Sequence, residues 1–248
     1  MKYFNIAGPC NSQEHYMIDA SSRLKGVEQL IDMKQYFVIH AARQSGKTTY
    51  LKDLTERINA GGKYYALYCS LEGLQDITNP KDGIPEIVRK IKNLLSLSNI
   101  SVSQHGIPKI VGKIRNLFGL STIPHRLEFA KDADYDNFSN VLNMELTLFC
   151  RSSDKPLVIL FDEADCLSEG TLISFLRQLR DGHNSRPGQA FLHSVALVGM
   201  RDIRDYKAKI RPDSESLGSA SPFNIVTESL TLKNFTKEEI TLLYRQHT

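Results

Sequence analysis

Two short stretches of the chain contain residues that could bind a phosphate and a divalent cation. The first runs from Ala41 to Thr48 and reads AARQSGKT, and the second is the acidic pair Asp162-Glu163. The backbone N–H groups of such a loop can face an anion, and Lys47 can reach the β- and γ-phosphates of a nucleotide. The hydroxyl of Thr48 can hold Mg²⁺. The first stretch therefore has the composition of a phosphate-binding loop.

The acidic pair supplies the complementary chemistry. It follows the apolar run Leu157 to Phe161, which predicts a buried strand. Asp162, at the strand's carboxyl end, can hold the water shell of Mg²⁺ beside Thr48. Glu163 can orient or deprotonate the water that attacks a γ-phosphate. The pair alone could be a solvated turn after a core strand, but the two stretches lie about 115 residues apart in the order that a nucleotide site requires.

The elements around the loop favour the same interpretation. Tyr36 to Ile39 predicts a short buried strand before it, and a helical pattern starts at Thr49. One residue departs from the pattern, because position 41 is alanine where glycine is expected; alanine is tolerated if the chain enters the turn at negative φ. An ordinary strand–helix turn is the alternative. The residues predicted to bind the nucleotide are Ala42, Arg43, Gln44, Ser45, Gly46, Lys47, Thr48 and Thr49, and those predicted to bind the metal are Thr48 and Asp162.

Length and composition are those of a globular protein with a sizeable core. The chain has 248 residues and a formal net charge of +3. Its longest apolar run is about five residues, so no membrane span is predicted, and the N-terminus lacks the apolar region of a signal peptide. Four widely spaced cysteines predict neither a zinc site nor a disulfide framework. We therefore expect a cytoplasmic protein.

The remaining pattern alternates helices and strands, which predicts an α/β fold with a parallel sheet between helices. Helices are expected at residues 23–33, 135–149 and 170–180, and further strands at 63–71, 191–198 and 229–232. The stretch 211–224 reads as a loop. Phe235 to Glu239 contains a capping box that would open another helix.

A tandem duplication interrupts this pattern. Residues 83–100 and 106–123 agree at twelve of eighteen positions, with a repeat length of 23. Each copy predicts an amphipathic helix with proline at its start, and together they predict a helical insertion over residues 75–134. Residues 81–131 carry nine Lys/Arg against three Asp/Glu. This excess is either a solvated face or a surface for an acidic protein client or nucleic acid.

Taken together, the strand–GKT–helix unit, LVILFDEAD, ALVGMRD and NFTKEEI resemble bacterial AAA-like P-loop ATPases related to the STAND and archaeal-type ATPases. The resemblance implies an AAA-like nucleotide-binding domain over residues 1–232 and the start of an incomplete helical lid over 233–248. It implies ATP and Mg²⁺ as ligands, and Lys47, Glu163 and a polar sensor at Arg201 as catalytic residues. The resemblance also implies that the protein could self-associate.

Three functions are compatible with these residues. The first is an ATPase whose hydrolysis drives a conformational switch or remodels a partner, which Glu163 favours. The second is a module that binds ATP or ADP as a regulatory ligand with little turnover, which an incomplete lid favours. The third is a DNA-associated ATPase of defence or mobile-element type, which only the basic insertion suggests.

Overall fold

The architecture is a five-stranded parallel sheet covered by helices on both faces. The computed structural model describes residues 2–6, 8–19, 21–98, 137–200 and 225–247. The strands lie in the order β2-β3-β4-β1-β5, and every adjacent pair is parallel. Their bounds are Tyr36–His40 for β1, Tyr65–Ser70 for β2, Leu157–Asp162 for β3, Ser194–Gly199 for β4 and Glu228–Thr231 for β5.

The three central strands are apolar except at their ends, as expected for strands whose two faces are both covered by helices. Every residue of β3 and β4 is buried, and β1 is buried up to His40. The register aligns the carboxyl ends of the strands, with His40 opposite Gly199 and Ser70 opposite Asp162. Side chains that follow these strands are therefore brought to one edge of the sheet.

Six α-helices flank the sheet within the described residues. They are α1 (Val27–Asp32), α2 (Lys47–Ala60), α3 (Pro80–Ser98), α4 (Val141–Ser152), α5 (Glu169–Ser185) and α6 (Lys237–Arg245). Helices α1 and α2 pack on one face of the sheet, and α3, α4 and α5 pack on the other. Both clusters bury aliphatic and aromatic side chains, which is the main stabilising contribution to the fold.

The predicted α/β fold is confirmed, with differences in the bounds of its helices. Within the described residues the helix expected at 135–149 begins at Val141, and the helix expected at 170–180 continues to Ser185. The stretch 23–33 is divided into a 3-10 turn (Ser21–Arg23) and α1, because Gly26 adopts a left-handed conformation at φ 88° between them. Helix α3 begins at Pro80, earlier than predicted, and places Pro85 inside the helix. The cause is Asn79, whose carbonyl accepts from the N–H groups of Asp82 and Gly83 at 3.1 and 2.9 Å.

The first copy of the duplication, in α3, contributes to the core. Ile84, Ile87 and Leu95 are fully buried, so the predicted apolar stripe is the packing face. Lys92, one of the basic residues of this copy, donates to the buried carboxylate of Glu145 at 2.7 Å. The aliphatic stem of lysine allows this reach. The second copy, at 106–123, lies outside the described residues.

Helix α6 begins with the predicted capping box. The Thr236 hydroxyl accepts from the Glu239 N–H at 3.2 Å, and the Glu239 carboxylate accepts from the Thr236 N–H at 2.8 Å. No residue of α6 is buried, and its C-terminal end contacts residues 4–17. Across the described ranges, no helix is long and apolar enough to cross a membrane.

Candidate nucleotide site

The loop between β1 and α2 has the backbone conformation of an anion-binding turn. Gln44 and Gly46 both adopt left-handed conformations, at φ 59° and 87°, before α2 begins at Lys47. Left-handed residues in a turn direct successive N–H groups toward one point, and the helix N-terminus adds its partial positive charge. Ala41 is buried and keeps negative φ, which explains why alanine is accommodated where glycine was expected.

Two polar side chains of the loop are buried within it. Lys47 is 7% exposed, and its Nζ donates to the Ala41 carbonyl at 3.3 Å. Ser45 is 6% exposed, and its hydroxyl is buried without a hydrogen-bond partner among the described residues. A buried hydroxyl without a partner costs free energy unless a ligand supplies one. The loop therefore has both a cation and a hydrogen-bond donor that an anion could use.

Asp162 lies beside the loop and is held by three hydrogen bonds. Its Oδ2 accepts from the Thr48 hydroxyl at 2.7 Å and from the Tyr68 hydroxyl at 2.9 Å. Its Oδ1 accepts from the Glu163 backbone N–H at 3.0 Å. With Asp162 only 1% exposed, the carboxylate has a single defined orientation. The hydroxyl and carboxylate predicted as metal ligands are thus adjacent.

Glu163 turns away from the strand direction. It adopts a left-handed conformation at φ 54°, which is uncommon for a non-glycine residue and recurs at functional sites. Burial raises the pKa of its carboxyl, the charge of Asp162 raises it further, and Lys47 opposes the increase. A carboxylate with a raised pKa has a greater affinity for a proton and is a better general base.

A cavity of about 950 Å³ extends from the loop toward the N-terminal segment. Lys47, Thr48 and Asp162 are among its polar lining residues. Its apolar lining comes from distant parts of the chain: Phe4, Ile6, Tyr16, Met17, Ile18, Phe235 and Leu243. The lining thus offers both polar groups for phosphates and apolar surface for a base, as a nucleotide requires.

Most residues predicted from the sequence meet in this cavity. Residues 43–49 line it together with Asp162 and Glu163. Ala42 is exposed and is not among the lining residues. Arg201 lies outside the described residues. The residue before it, Met200, follows β4, and its backbone N–H donates to the Asp165 carboxylate at 2.8 Å.

Sequence reasoning missed three contributions. The Tyr68 hydroxyl holds Asp162, the Cys10 backbone N–H donates to the Thr49 hydroxyl at 3.0 Å, and Arg23 donates to the Ser45 carbonyl at 3.2 Å. The tyrosine-rich composition of β2 was visible, but its position beside β3 was not. The contacts of Cys10 and Arg23 link residues distant in sequence, so local pattern carries no signal for them.

The arrangement fits a nucleoside phosphate and its metal. The left-handed turn, Lys47 and the unpartnered hydroxyl of Ser45 match an anion. The 2.7 Å contact between Thr48 and Asp162 places two oxygen donors together, and oxygen donors are the ligands that Mg²⁺ prefers.

Comparison with known proteins supports the fold. No family model and no curated protein matches the chain. Among solved structures, Cdc6p from Pyrobaculum aerophilum is similar with 16% identity and a TM-score of 0.47, over 90% of this chain and 50% of that one. The Walker-type ATPase of Pyrococcus abyssi is similar with 14% identity and a TM-score of 0.50, over 98% of this chain and 60% of that one. The chain thus spans between half and three fifths of their length. Its likeness to the Pyrococcus structure shows that it has the α/β fold of that ATPase.

Proposed function

We propose that this chain binds ATP with Mg²⁺ and hydrolyses it, with hydrolysis coupled to a conformational switch or to remodelling of a partner. The observation that carries the proposal is the contact of Thr48 with Asp162 beside Lys47 in a left-handed loop. Glu163 follows Asp162 directly, so a candidate base lies at the same edge of the sheet. The P-loop ATPase fold is consistent with this chemistry.

Each residue has a role that follows from its position. Lys47 and the N–H groups of the loop bind the phosphate oxygens. They also stabilise the transition state of hydrolysis, in which negative charge accumulates on those oxygens. Thr48 and Asp162 would hold Mg²⁺, which neutralises phosphate charge when bound. Glu163 orients the attacking water and accepts its proton. The hydrogen bonds on Asp162 keep its carboxylate turned toward Thr48.

The apolar lining of the cavity supports a nucleotide in place of free phosphate or pyrophosphate. It includes Phe4 and Tyr16, whose ring centroids are 4.9 Å apart, and Phe235 contributes a third ring. Flat aromatic and apolar walls suit the faces of a nucleobase. A ligand that fills the cavity therefore needs both a phosphate chain and a base.

Two substitutions test the proposal. Lys47→Ala should weaken ATP binding at least about tenfold, or about 1.4 kcal/mol, because the phosphates lose their main cation. Glu163→Gln should retain ATP binding and lower hydrolysis roughly 10²-fold or more. Binding is measured by titration calorimetry and turnover by phosphate release. Unchanged ATP affinity in the Lys47 variant would contradict the phosphate site itself.

The regulatory module is the second candidate. The left-handed loop and the buried Lys47 support nucleotide binding equally in that case. It is favoured if the wild-type chain binds ATP but releases no phosphate above background. The closer resemblance to bacterial AAA-like proteins, the cytoplasmic location and self-association stay predictions.

A partner bound through residues 81–131 also stays a prediction. Two of the basic residues in this range are already engaged, Lys92 with Glu145 and Arg89 with Glu86. An acidic client or nucleic acid would therefore depend on the other basic residues of the range. Salt-dependent binding to a polyanion such as heparin is the direct test.

A further inference from the structure

Arg23 is a half-buried cation that none of the proposed catalytic steps uses. It ends the 3-10 turn before α1, and its side chain lies in the wall of the 950 Å³ cavity. Burial lowers the pKa of its guanidinium, and Glu239 on α6 opposes that effect. A guanidinium nevertheless stays charged at physiological pH. The chain therefore keeps a cation partly out of water at this point, which is unfavourable unless its contacts compensate.

The contacts of Arg23 join two parts of the chain that are distant in sequence. Its Nη2 donates to the Ser45 carbonyl of the phosphate-binding loop at 3.2 Å. Its Nε donates to the Lys233 carbonyl at 3.0 Å, and Nη2 donates to that carbonyl as well. One planar side chain thus bridges the loop and the segment that leads into α6.

Aromatic stacking completes the bridge. The Cζ of Arg23 lies 4.1 Å from the centroid of the Phe235 ring. Its Nη1 is the closest atom to a methyl group placed on Gly46, at 3.9 Å. The guanidinium is therefore close to both the loop glycine and Phe235, and Phe235 itself lines the cavity. Movement of the loop or of Phe235 must change the contacts of Arg23.

One group of Arg23 is left without a partner. Its Nη1 is buried and has no hydrogen-bond acceptor among the described residues. An unpaired buried donor is costly, so the conformation must be held by its other contacts. Lysine could not replace this geometry, since an ammonium lacks the planar fork that reaches two carbonyls and stacks on a ring.

We propose that Arg23 is a positioning residue that couples the phosphate-binding loop to α6, so that nucleotide binding and docking of α6 favour each other. This proposal rests on the proposed nucleotide site. Coupling of this kind is reciprocal: if nucleotide stabilises the docked position of α6, a docked α6 raises nucleotide affinity by the same factor. The bridge through Arg23 and Phe235 is the physical connection.

A double-mutant cycle on ADP binding with Mg²⁺ tests the coupling, because ADP is not hydrolysed. Arg23→Ala and Phe235→Ala should each lower the affinity for ADP about fivefold or more, which is the lower end of the usual coupling between sites. The double variant should lose less affinity than the product of the two single losses, since each substitution already removes the contact between Arg23 and Phe235. Losses that multiply in the double variant would overturn the proposal.

A second measurement does not depend on affinity. In the wild-type chain, ADP should slow amide exchange of residues 237–245, and Arg23→Ala should abolish this slowing at saturating ADP. Arg23→Lys should behave like Arg23→Ala. Protection of α6 by ADP in all three proteins would overturn the coupling.

Controls separate this inference from the proposed function. Arg57→Ala removes an arginine whose ion pairs with Glu28 and Asp53 lie away from the cavity, and it should change neither readout. Lys47→Ala should weaken ADP binding at least about tenfold if the proposed function holds. If Lys47→Ala leaves ADP affinity unchanged, the nucleotide site is wrong. If Lys47→Ala weakens binding while the Arg23 variants retain wild-type affinity and protection, only the coupling is wrong.

Discussion

The orientation of Asp162 depends on a hydroxyl that sequence reasoning did not identify, and removing it gives a sharp test of the metal site. The Tyr68 hydroxyl donates to the same Oδ2 as Thr48, at 2.9 Å. Burial and the charge of Asp162 raise the pKa of Tyr68 well above its ordinary value, so the hydroxyl remains a donor at all working pH values. Tyr68→Phe deletes this donor and keeps the buried ring.

The size of the effect follows from the contacts of Asp162. Tyr68 supplies one of three hydrogen bonds on the carboxylate, and a bond to a charged group contributes about 1.5–3 kcal/mol. Partners that orient metal ligands typically change metal affinity by 10- to 100-fold. We expect the gain in ADP affinity on adding Mg²⁺ to fall about tenfold. Affinity without Mg²⁺ should stay within about twofold, because Lys47 and the loop are untouched.

Titration calorimetry of ADP with and without Mg²⁺ separates the Mg²⁺-dependent gain in affinity from the affinity for ADP alone. Tyr65→Phe is the matched control, because the Tyr65 hydroxyl contacts Asp154 at 3.4 Å, near the start of β3 and away from the site. It should leave both affinities unchanged. If Tyr68→Phe keeps the full Mg²⁺-dependent gain, or loses affinity equally without the metal, then Tyr68 does not support the metal ligand.

Two further predictions concern stability. Burial is the main cause that lowers the pKa values of His183 and His193 below the ordinary value of about 6.5. The neutral histidines therefore contribute fully to folding stability above about pH 6.5, and this contribution is lost as the pH falls through their lower pKa values in the folded state. Replacing both with glutamine should reduce the decrease in the free energy of urea unfolding between about pH 7.5 and about pH 5.5. An unchanged pH dependence would contradict this prediction. Gly83→Ala would place a methyl group 2.4 Å from the buried side chain of Thr171. The free energy of urea unfolding should therefore fall by about 1–3 kcal/mol, although alanine has the better helix propensity. Gly188→Ala is the control and should not lower it, because a methyl group there would have no atom within 4 Å.

The parts of the site that the sequence predicted are those fixed by local order along the chain. Lys47 and Thr48 follow a strand and open a helix, so their position at the end of β1 could be derived from the pattern. Asp162 ends another buried strand, and parallel strands bring such ends to one edge. The apolar period of α3 likewise predicted its packing face, since Ile84 and Ile87 are fully buried.

The parts that were missed depend on contacts between distant residues. Tyr68 reaches Asp162 only because β2 is the neighbour of β3, and the order of strands is not encoded in either strand alone. Arg23 contacts Lys233 across 210 positions of the sequence. The partner of Lys92 had no local signal in the sequence either, because Glu145 belongs to another helix.

The polar and the apolar lining of the cavity differ in how firmly they are held, and this bears on which part could move. The residues proposed to bind phosphate follow strands whose backbone ladders fix His40 opposite Gly199 and Ser70 opposite Asp162. Much of the apolar lining depends on more exposed contacts between the N-terminal segment and the end of α6. These include two hydrogen bonds between Met17 and Gln246, a hydrogen bond and a ring contact between Tyr16 and His247, and ring contacts of Phe4 with Tyr244 and His247.

Local opening requires least free energy where few buried apolar contacts and many exposed hydrogen bonds hold a segment. Residues 4–17 and α6 meet that description, whereas the loop and β3 do not, because Lys47, Ser45 and Asp162 are all buried. Entry and release of a nucleotide should therefore move the N-terminal segment together with α6 and leave the phosphate-binding loop and β3 in place. Arg23 lies at the boundary between the rigid and the mobile parts, which is where a residue that couples them has to be.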